Sequence, residues 1–269
     1  MFIINQIVGL PLQEGYNWSY DLVEKIMGKF IFIVFIISLL LICGYSYLNK
    51  RKHFFTRYHL YTLVISILSL YLFAKMAQDL MGKELITTWD LVISSKVNLL
   101  WNPVLNQIFI FITDLGSTIS LASLSLILLG ILIYKKRWYY STLFVSGMLG
   151  GLGLRVLAKI IFHRARPLDG LIAETGYSFP SGHAMISLIY FSLMLYIFKD
   201  DIKNIYLKWI FALGCIMMFL LIGFSRIYLN VHWFSDVIAG FALGLFWITL
   251  LILVYKVITL LKTNKNLNK

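Results

Sequence analysis

The chain has 269 residues, of which 60% are hydrophobic and 13% charged, and its mean hydropathy is +0.83. Soluble domains carry about 25% charged residues, so this composition excludes an ordinary soluble domain and predicts an integral membrane protein. The net charge of +12 does not indicate nucleic-acid binding, because the basic residues lie mostly in short loops between long apolar runs, as membrane orientation requires.

Seven apolar segments are candidate transmembrane helices, since about 20 apolar residues cross the hydrocarbon of a bilayer. In chain order they lie near 30–48, 58–77, 106–134, 139–162, 183–198, 207–226 and 233–260. The third and the last are longer than one crossing requires, so we expect each to tilt or to begin with an interfacial turn. The sequence therefore predicts an all-α, polytopic transmembrane helix bundle that forms one integral domain.

Basic residues in the loops orient this bundle. Four sets alternate consistently onto one face of the membrane, and the positive-inside rule makes that face cytoplasmic. The sets are Lys50, Arg51, Lys52 and Arg57; Lys135, Lys136 and Arg137; Lys199, Lys203 and Lys208; and Lys256, Lys262, Lys265 and Lys269.

A further group of cations lies at the opposite, outer face, where the orientation rule does not account for it. Its members are Arg155, Lys159, Arg164, Arg166 and Arg226. Because ionisable groups at membrane depth are costly and usually mark function, we expect an anionic ligand at this face.

The first of three polar stretches at the outer face ends the fourth predicted span and runs from Lys159 to Pro167. Lys159 and Arg166 are two helical turns apart, so both cations would share one side of a continuing helix. Pro167 then stops the helix or redirects the chain. The structural alternative is a pair of cations whose side chains reach out to the membrane interface.

The second stretch runs from Ser178 to His183 and leads directly into the fifth predicted span. A Pro-Ser-Gly turn before a helix leaves backbone N–H groups unpaired at the positive end of the helix dipole, which favours an anion. Gly182 lets the backbone approach a phosphate closely, and His183 follows in the first turn. The structural alternative is a helix cap with an incidental interfacial histidine.

The third stretch, from Ser225 to Asp236, joins the last two predicted spans by a very short turn. His232 and Asp236 are four residues apart near the start of a helix, so they are neighbours on one face. A carboxylate there can hold one ring nitrogen as N–H and leave the other free for attack. Arg226 adds a forked donor that matches phosphate. A structural ion pair is the alternative for the His–Asp spacing alone.

Together the three stretches resemble the complete three-part signature of the type 2 phosphatidic acid phosphatase superfamily. The matching residues are Lys159, Arg166 and Pro167; Pro180, Ser181, Gly182 and His183; and Ser225, Arg226, His232 and Asp236. Membrane members of that family usually have six helices. The resemblance implies a six-helix phosphatase core at 58–262. The apolar run near 30–48, within the segment 1–57, departs from that pattern and predicts one extra transmembrane helix, and a basic cytoplasmic tail, 263–269, follows the core.

The resemblance also implies a role for each site residue. His232 attacks phosphorus and becomes a phosphohistidine, Asp236 orients it, and His183 protonates the leaving oxygen. The phosphoryl oxygens are held by Lys159, Arg166, Arg226, Ser181 and the Gly182 amide. Acids near the outer face are too few for a two-metal site, which needs several carboxylates, so we expect neither a metal nor another cofactor.

The expected function is hydrolysis of a lipid phosphate or diphosphate on the outer side of a bacterial inner membrane. Candidate substrates are undecaprenyl diphosphate, phosphatidylglycerophosphate, phosphatidic acid and a lipid A phosphate, which the motifs do not separate because they bind phosphate and not the tail. Two alternatives stay open: a phosphotransferase that uses the same phosphohistidine, and a non-catalytic lipid-binding or transport protein. Membrane lipids are the expected surroundings, with no nucleic acid and no obligate protein partner.

Overall fold

The computed structural model describes residues 57–82 and 85–267, together with Lys29, Phe32 and Ile36. The span predicted near 30–48 therefore lies outside the described residues, apart from two isolated positions. Within the described ranges the chain forms eight α-helices: α1 (Arg57–Met81), α2 (Leu85–Asn98), α3 (Pro103–Leu115), α4 (Thr118–Tyr134), α5 (Trp138–Phe162), α6 (Gly182–Phe198), α7 (Ile205–Tyr228) and α8 (Phe234–Leu267).

Most of these helices are long and apolar enough to cross a membrane. Four qualify singly, namely α1, α5, α7 and α8, and the bent pair α3 and α4 makes a fifth. Helix α6 is a shorter apolar helix of 17 residues, and it lies where the fifth span was predicted. The predicted all-α membrane bundle is thus confirmed, and each of the six spans predicted after residue 57 corresponds to a helix or a bent pair of helices.

The third predicted span is not one helix, because it is broken and bent by 45° between α3 and α4. The Ser117 side chain accepts a hydrogen bond from the Ser120 amide and so begins a new helix. At Gly116 a Cβ atom would lie 2.3 Å from the Ile222 side chain and 3.3 Å from the His183 ring. Because Gly116 has no side chain, its backbone packs directly against α7 and against the start of α6.

Helix α2 was not predicted, because its 14 residues include too many polar side chains for a membrane span. It is a short helix with two faces. Leu85 and Trp89 are exposed, whereas Asp90 and Val97 are buried. Helix α2 packs against α1, α7 and α8, so it lies beside the start of α8.

Two basic loops meet at one end of the bundle. Arg137, before α5, lies 2.5 Å from Asp201, between α6 and α7, and it also donates to the Ile197 carbonyl. This contact places the α4–α5 and α6–α7 loops together, as the alternation of basic loops predicts. The ends of α5 and α7 and the beginnings of α6 and α8 form the opposite end.

Helix α6 lies at the centre and is largely buried. Gly147 and Gly151 of α5, one turn apart, let its backbone approach α6 closely, since a Cβ at either position would press on Leu193 or Ile189. This close packing fixes the position of the first turn of α6, which carries His183.

Candidate active site

The three polar stretches identified in the sequence meet at one end of the bundle. The loop from 163 to 181 joins α5 to α6, and the turn from 229 to 233 joins α7 to α8. Backbone hydrogen bonds link the two connections: the Ser181 amide donates to the Asp236 carbonyl, and the Leu171 amide donates to the Leu229 carbonyl, each at 2.9 Å. Residues separated by up to 77 positions in the chain therefore line one site.

His232 and Asp236 form a buried pair in the turn before α8 and in its first turn. The His232 Nδ1 atom lies 3.3 Å from Asp236 Oδ2, and the side chains are 2% and 0% exposed. The same carboxylate oxygen accepts the Trp233 amide at 2.9 Å. Because a carboxylate only accepts, it holds Nδ1 as N–H and leaves the lone pair on Nε2.

Arg166 lies directly in front of that lone pair. Its Nη1 atom is 3.1 Å from His232 Nε2. The same Nη1 atom donates to the Val231 carbonyl, and Nε and Nη2 donate to the Gly176 and Thr175 carbonyls, so all three guanidinium nitrogens are held and the plane of the group is fixed.

Arg166 does not reach this position on a helix continued from Lys159. Helix α5 ends at Phe162, because His163 takes a left-handed conformation with φ 44°. The helix thus stops before Pro167, and the loop carries Arg166 into the site. Lys159, still on α5, donates to the Tyr177 carbonyl of that loop at 2.7 Å.

Arg226 is 1% exposed and is paired with an acid of the loop. Its Nη1 atom donates to Thr113 at 2.7 Å, and its Nη2 atom donates to Glu174. The second Glu174 oxygen lies 3.8 Å from Arg166, so this carboxylate bridges both guanidinium groups. Burial alone would raise the pKa of Glu174, but the neighbouring Arg226 and Arg166 outweigh burial and hold that pKa below its ordinary value.

Arg164, one of the outer cations, does not face the site. Its guanidinium donates to Asp236 Oδ1 at 2.5 Å, to the Ser235 hydroxyl at 2.7 Å and to Asp90 Oδ2 at 2.6 Å. Asp90 also accepts the Ser235 amide at 2.9 Å. Arg164, itself held by Asp90, therefore binds the Asp236 oxygen that does not contact His232.

The beginning of α6 carries unsatisfied donors. Ser181 is fully buried at the N-cap position, yet its side chain makes no capping hydrogen bond. Among the described residues no partner is found for Ser181 Oγ, Arg226 Nε or Arg155 Nε. Since buried polar atoms are rarely left unpaired, donors concentrated in this way are typical of a site built for an anion. The absence of a capping bond argues against the simple helix-cap alternative.

The cations of the site act on His232. For His232, burial and then the charges of Arg226, Arg166 and Lys159 lower the pKa well below its ordinary value. His232 is therefore neutral at pH 7.

All eight site residues predicted from the sequence lie at this end of the bundle. The predictions omitted Arg155, Glu174 and the supporting pair Arg164 and Asp90. A signal existed for Arg155 and Arg164, which belong to the outer cation group. None existed for Asp90, which lies 74 positions from Arg164 in a helix that was not predicted.

Comparison with known proteins identifies relatives of the chain. Residues 136–259 match the model of the PAP2 superfamily, a range that includes all eight predicted site residues. Phosphatidylglycerophosphatase B of Bacillus subtilis (strain 168) is 30% identical over 187 residues, which are 66% of this chain and 88% of that protein. Undecaprenyl-diphosphatase of Sulfolobus acidocaldarius is 27% identical over 208 residues, which are 75% of this chain and 90% of that protein.

The fold is also similar to a solved structure. The crystal structure of a transmembrane PAP2 type phosphatidylglycerolphosphate phosphatase from Bacillus subtilis superposes with a TM-score of 0.62. The aligned residues are 28% identical and cover 71% of this chain and 94% of that one.

Proposed function

Since this chain belongs to the PAP2 superfamily and is a membrane phosphatase, we propose that it hydrolyses lipid phosphates or diphosphates through a phosphohistidine on His232. The observation that carries this proposal is the placement of His232 between two partners. Asp236 holds Nδ1 as the donor, and Nε2 points at the guanidinium of Arg166. A phosphate bound by Arg166 would thus lie beside the nucleophilic lone pair.

The proposed reaction has two steps. In the first, Nε2 of His232 forms a bond to phosphorus, the bond from phosphorus to the leaving oxygen breaks, and His183 gives that oxygen a proton. In the second, His183 takes a proton from water, the water oxygen bonds to phosphorus, and the bond from His232 to phosphorus breaks. Inorganic phosphate and the dephosphorylated lipid are the products.

Cationic and N–H donors stabilise the charge that develops on the phosphoryl oxygens. We assign this role to Lys159, Arg166, Arg226, Ser181 and the Gly182 amide. The unpaired Ser181 Oγ and Arg226 Nε support the assignment, because each is a buried donor without an acceptor within the described part of the chain. With several cations around one phosphate, the proposed mechanism uses no metal ion.

An apolar groove beside His183 supports a lipid substrate. It has a volume of about 390 Å³ and lies between α4 and α5, with Gly116 and Ile186 at the end near the site. Gly116 approaches the His183 ring, and Ile186 is one turn further along α6. A hydrocarbon chain in this groove would stay within the bilayer while its head group reached the two histidines.

The side of the membrane follows from the charges of the loops. The Arg137–Asp201 contact joins two basic loops at the end away from the site. By the positive-inside rule we place that end in the cytoplasm, and the site on the outer, periplasmic or extracellular side of a bacterial membrane. Residues 58–262 form the proposed phosphatase core. Its candidate substrates are undecaprenyl diphosphate, phosphatidylglycerophosphate, phosphatidic acid and a lipid A phosphate.

The decisive experiment measures phosphate release by the purified full-length protein in detergent. The substrates are the four candidate lipids, with EDTA present throughout and with or without an alcohol as acceptor. We expect release from at least one lipid in EDTA, and its loss in His232→Ala. Retained turnover by folded His232→Ala would rule out the phosphohistidine. Transfer of phosphate to the alcohol in preference to water would indicate a phosphotransferase. If the folded wild-type protein released no phosphate from any lipid, a non-catalytic binding protein would be favoured.

A further inference from the structure

Arg155 is a cation at the site to which the proposed reaction assigns no role. It lies on α5, one helical turn before Lys159, and so on the same side of the helix. The three-part signature begins at Lys159 and does not include it. Its side chain nevertheless reaches the backbone on which the proposed phosphate site is built.

The contact is with Gly182, the first residue of α6. A Cβ atom at Gly182 would lie 2.8 Å from Arg155 Cδ, 3.1 Å from Nη1 and 3.2 Å from Nε. The glycine therefore makes room for the guanidinium of Arg155 against the positive end of α6. Two positive groups held this closely repel each other, and a shared anion would offset that repulsion.

Unsatisfied donors mark the same place. Arg155 Nε is buried without a hydrogen-bond partner in the described ranges, and the neighbouring Ser181 Oγ has none either. Ser181 is 0% exposed, so water does not reach its hydroxyl freely. Two buried donors, Arg155 Nε and Ser181 Oγ, thus lie without an acceptor beside Gly182.

The pairing of charges leaves Arg155 without a counterion. Glu174 forms ion pairs with Arg226 and Arg166, and Asp90 and Asp236 both form ion pairs with Arg164. Among the ion pairs of the described residues none includes Arg155. Arg155, Lys159, Arg166 and Arg226 therefore lie together at the site, and within the described ranges Glu174 is the one carboxylate in an ion pair with any of them.

We propose that Arg155 binds a second phosphate group of the substrate, next to the phosphate that His232 attacks. The ligand is a lipid whose head group carries two phosphates, joined either directly through oxygen or through a short polyol. Such a head group carries one negative charge more than a simple phosphate monoester, and Arg155 supplies the matching cation. This inference rests on the proposed function, because it takes Arg166 and Arg226 as the subsite of the reacting phosphate.

The test compares substrates with one and two phosphates. Wild type, Arg155→Gln and Arg155→Lys are assayed on phosphatidate, on a prenyl diphosphate and on phosphatidylglycerophosphate. We expect Arg155→Gln to lower kcat/KM about ten-fold more on a two-phosphate lipid than on phosphatidate, as the loss of one charged hydrogen bond would. Arg155→Lys should recover part of the kcat/KM that Arg155→Gln loses on two-phosphate lipids. A larger loss on the prenyl diphosphate indicates phosphates joined directly through oxygen, and a larger loss on phosphatidylglycerophosphate indicates phosphates joined through a polyol.

Inhibition gives a second readout that needs no lipid. Inorganic diphosphate should inhibit wild type more strongly than inorganic phosphate, and Arg155→Gln should remove that preference. Equal losses on all three lipids together with an unchanged inhibitor preference would overturn the proposal and make Arg155 a structural residue. Failure of wild type to hydrolyse any lipid would instead refute the proposed function, while the preference for diphosphate as a ligand could still be measured by thermal stabilisation.

Discussion

Glu174 accepts a hydrogen bond from Arg226, a residue that we assign to the substrate phosphate. The same carboxylate lies 3.8 Å from Arg166, which we also assign to the substrate phosphate. An anion of the protein thus engages the same two guanidinium groups as the substrate. Because the pKa of Glu174 is lowered, its charge persists at neutral pH, and substrate must compete with it.

Replacing Glu174 by Gln should therefore strengthen anion binding. We expect inorganic phosphate to inhibit Glu174→Gln about ten-fold more strongly than wild type, since a competing charged hydrogen bond is lost. The measurement is the inhibition constant of phosphate at pH 7. Asp169→Asn, a change of an exposed acid in the same loop, is the matched control and should leave that constant unchanged. Weaker inhibition in Glu174→Gln would show that the carboxylate organises the pocket and does not compete.

The acid limb of the pH profile should report His232. Its folded pKa lies well below 6.5, so the neutral nucleophile persists as pH falls and is lost only below the ordinary range of histidine. We expect kcat/KM to keep its value down to below pH 6.5. Lys159→Gln removes one charge that disfavours protonation, so its acid limb should move to higher pH. A limb that stays in place in this variant would assign it to the substrate or to another group.

Asp90 should matter to both stability and turnover, although it does not touch the proposed phosphate site. Asp90→Asn takes one carboxylate from the buried guanidinium of Arg164, which we expect to cost about 3 kcal/mol of stability. Displacement of Asp236 should also lower kcat, by roughly a hundred-fold if the His232 ring shifts by about 1 Å. The measurements are the thermal midpoint and kcat in detergent.

A second ion pair of this chain serves as the control for Asp90. Asp201→Asn breaks the pair with Arg137 at the other end of the bundle, where Asp201 is 44% exposed. Exposed pairs contribute less than about 1 kcal/mol, so kcat should not change and the midpoint should move little. Similar effects of the two substitutions would contradict the positioning role of Asp90.

The groove between α4 and α5 should determine how well long-chain substrates bind. Ala122 lines this groove, whereas the adjacent Ser123 does not. We expect Ala122→Phe to raise KM for a long-chain lipid phosphate about ten-fold, the effect of excluding about two methylene groups. A short, water-soluble phosphate ester should be unaffected, and Ser123→Phe should leave both substrates unchanged. An equal rise for both substrates in Ala122→Phe would place the lipid chain elsewhere.

Much of the site could be predicted because its residues lie in three local patterns. His232 and Asp236 are one helical turn apart. The Ser181–Gly182–His183 turn predicts the beginning of a helix that could bind an anion. Each pattern is short. Because successive membrane helices run in opposite directions, the end of one span and the beginning of the next lie on the same side of the bundle, which brings the three patterns together. The apolar runs likewise predicted the spans, since length and hydropathy suffice for a membrane helix.

The remaining features depend on contacts between distant parts of the chain. Asp90 lies 74 positions before Arg164, in a helix too polar to be recognised as a span. Glu174 has a functional position only because the loop folds back over Arg226. The break at Gly116 depends on Ile222 and His183 packing against that glycine, and a hydropathy pattern carries no information about such neighbours.

Helix α2 has one exposed face, which includes Leu85 and Trp89, and one buried face, which includes Asp90. From Asp90 an unbroken series of polar contacts runs through Arg164 and Asp236 to the His232 ring. A helix with an exposed apolar face is therefore connected through polar contacts to the histidine that we propose as the nucleophile. We expect a change in the lipid around this apolar face to disturb the His232 ring without touching any group that we assign to the substrate.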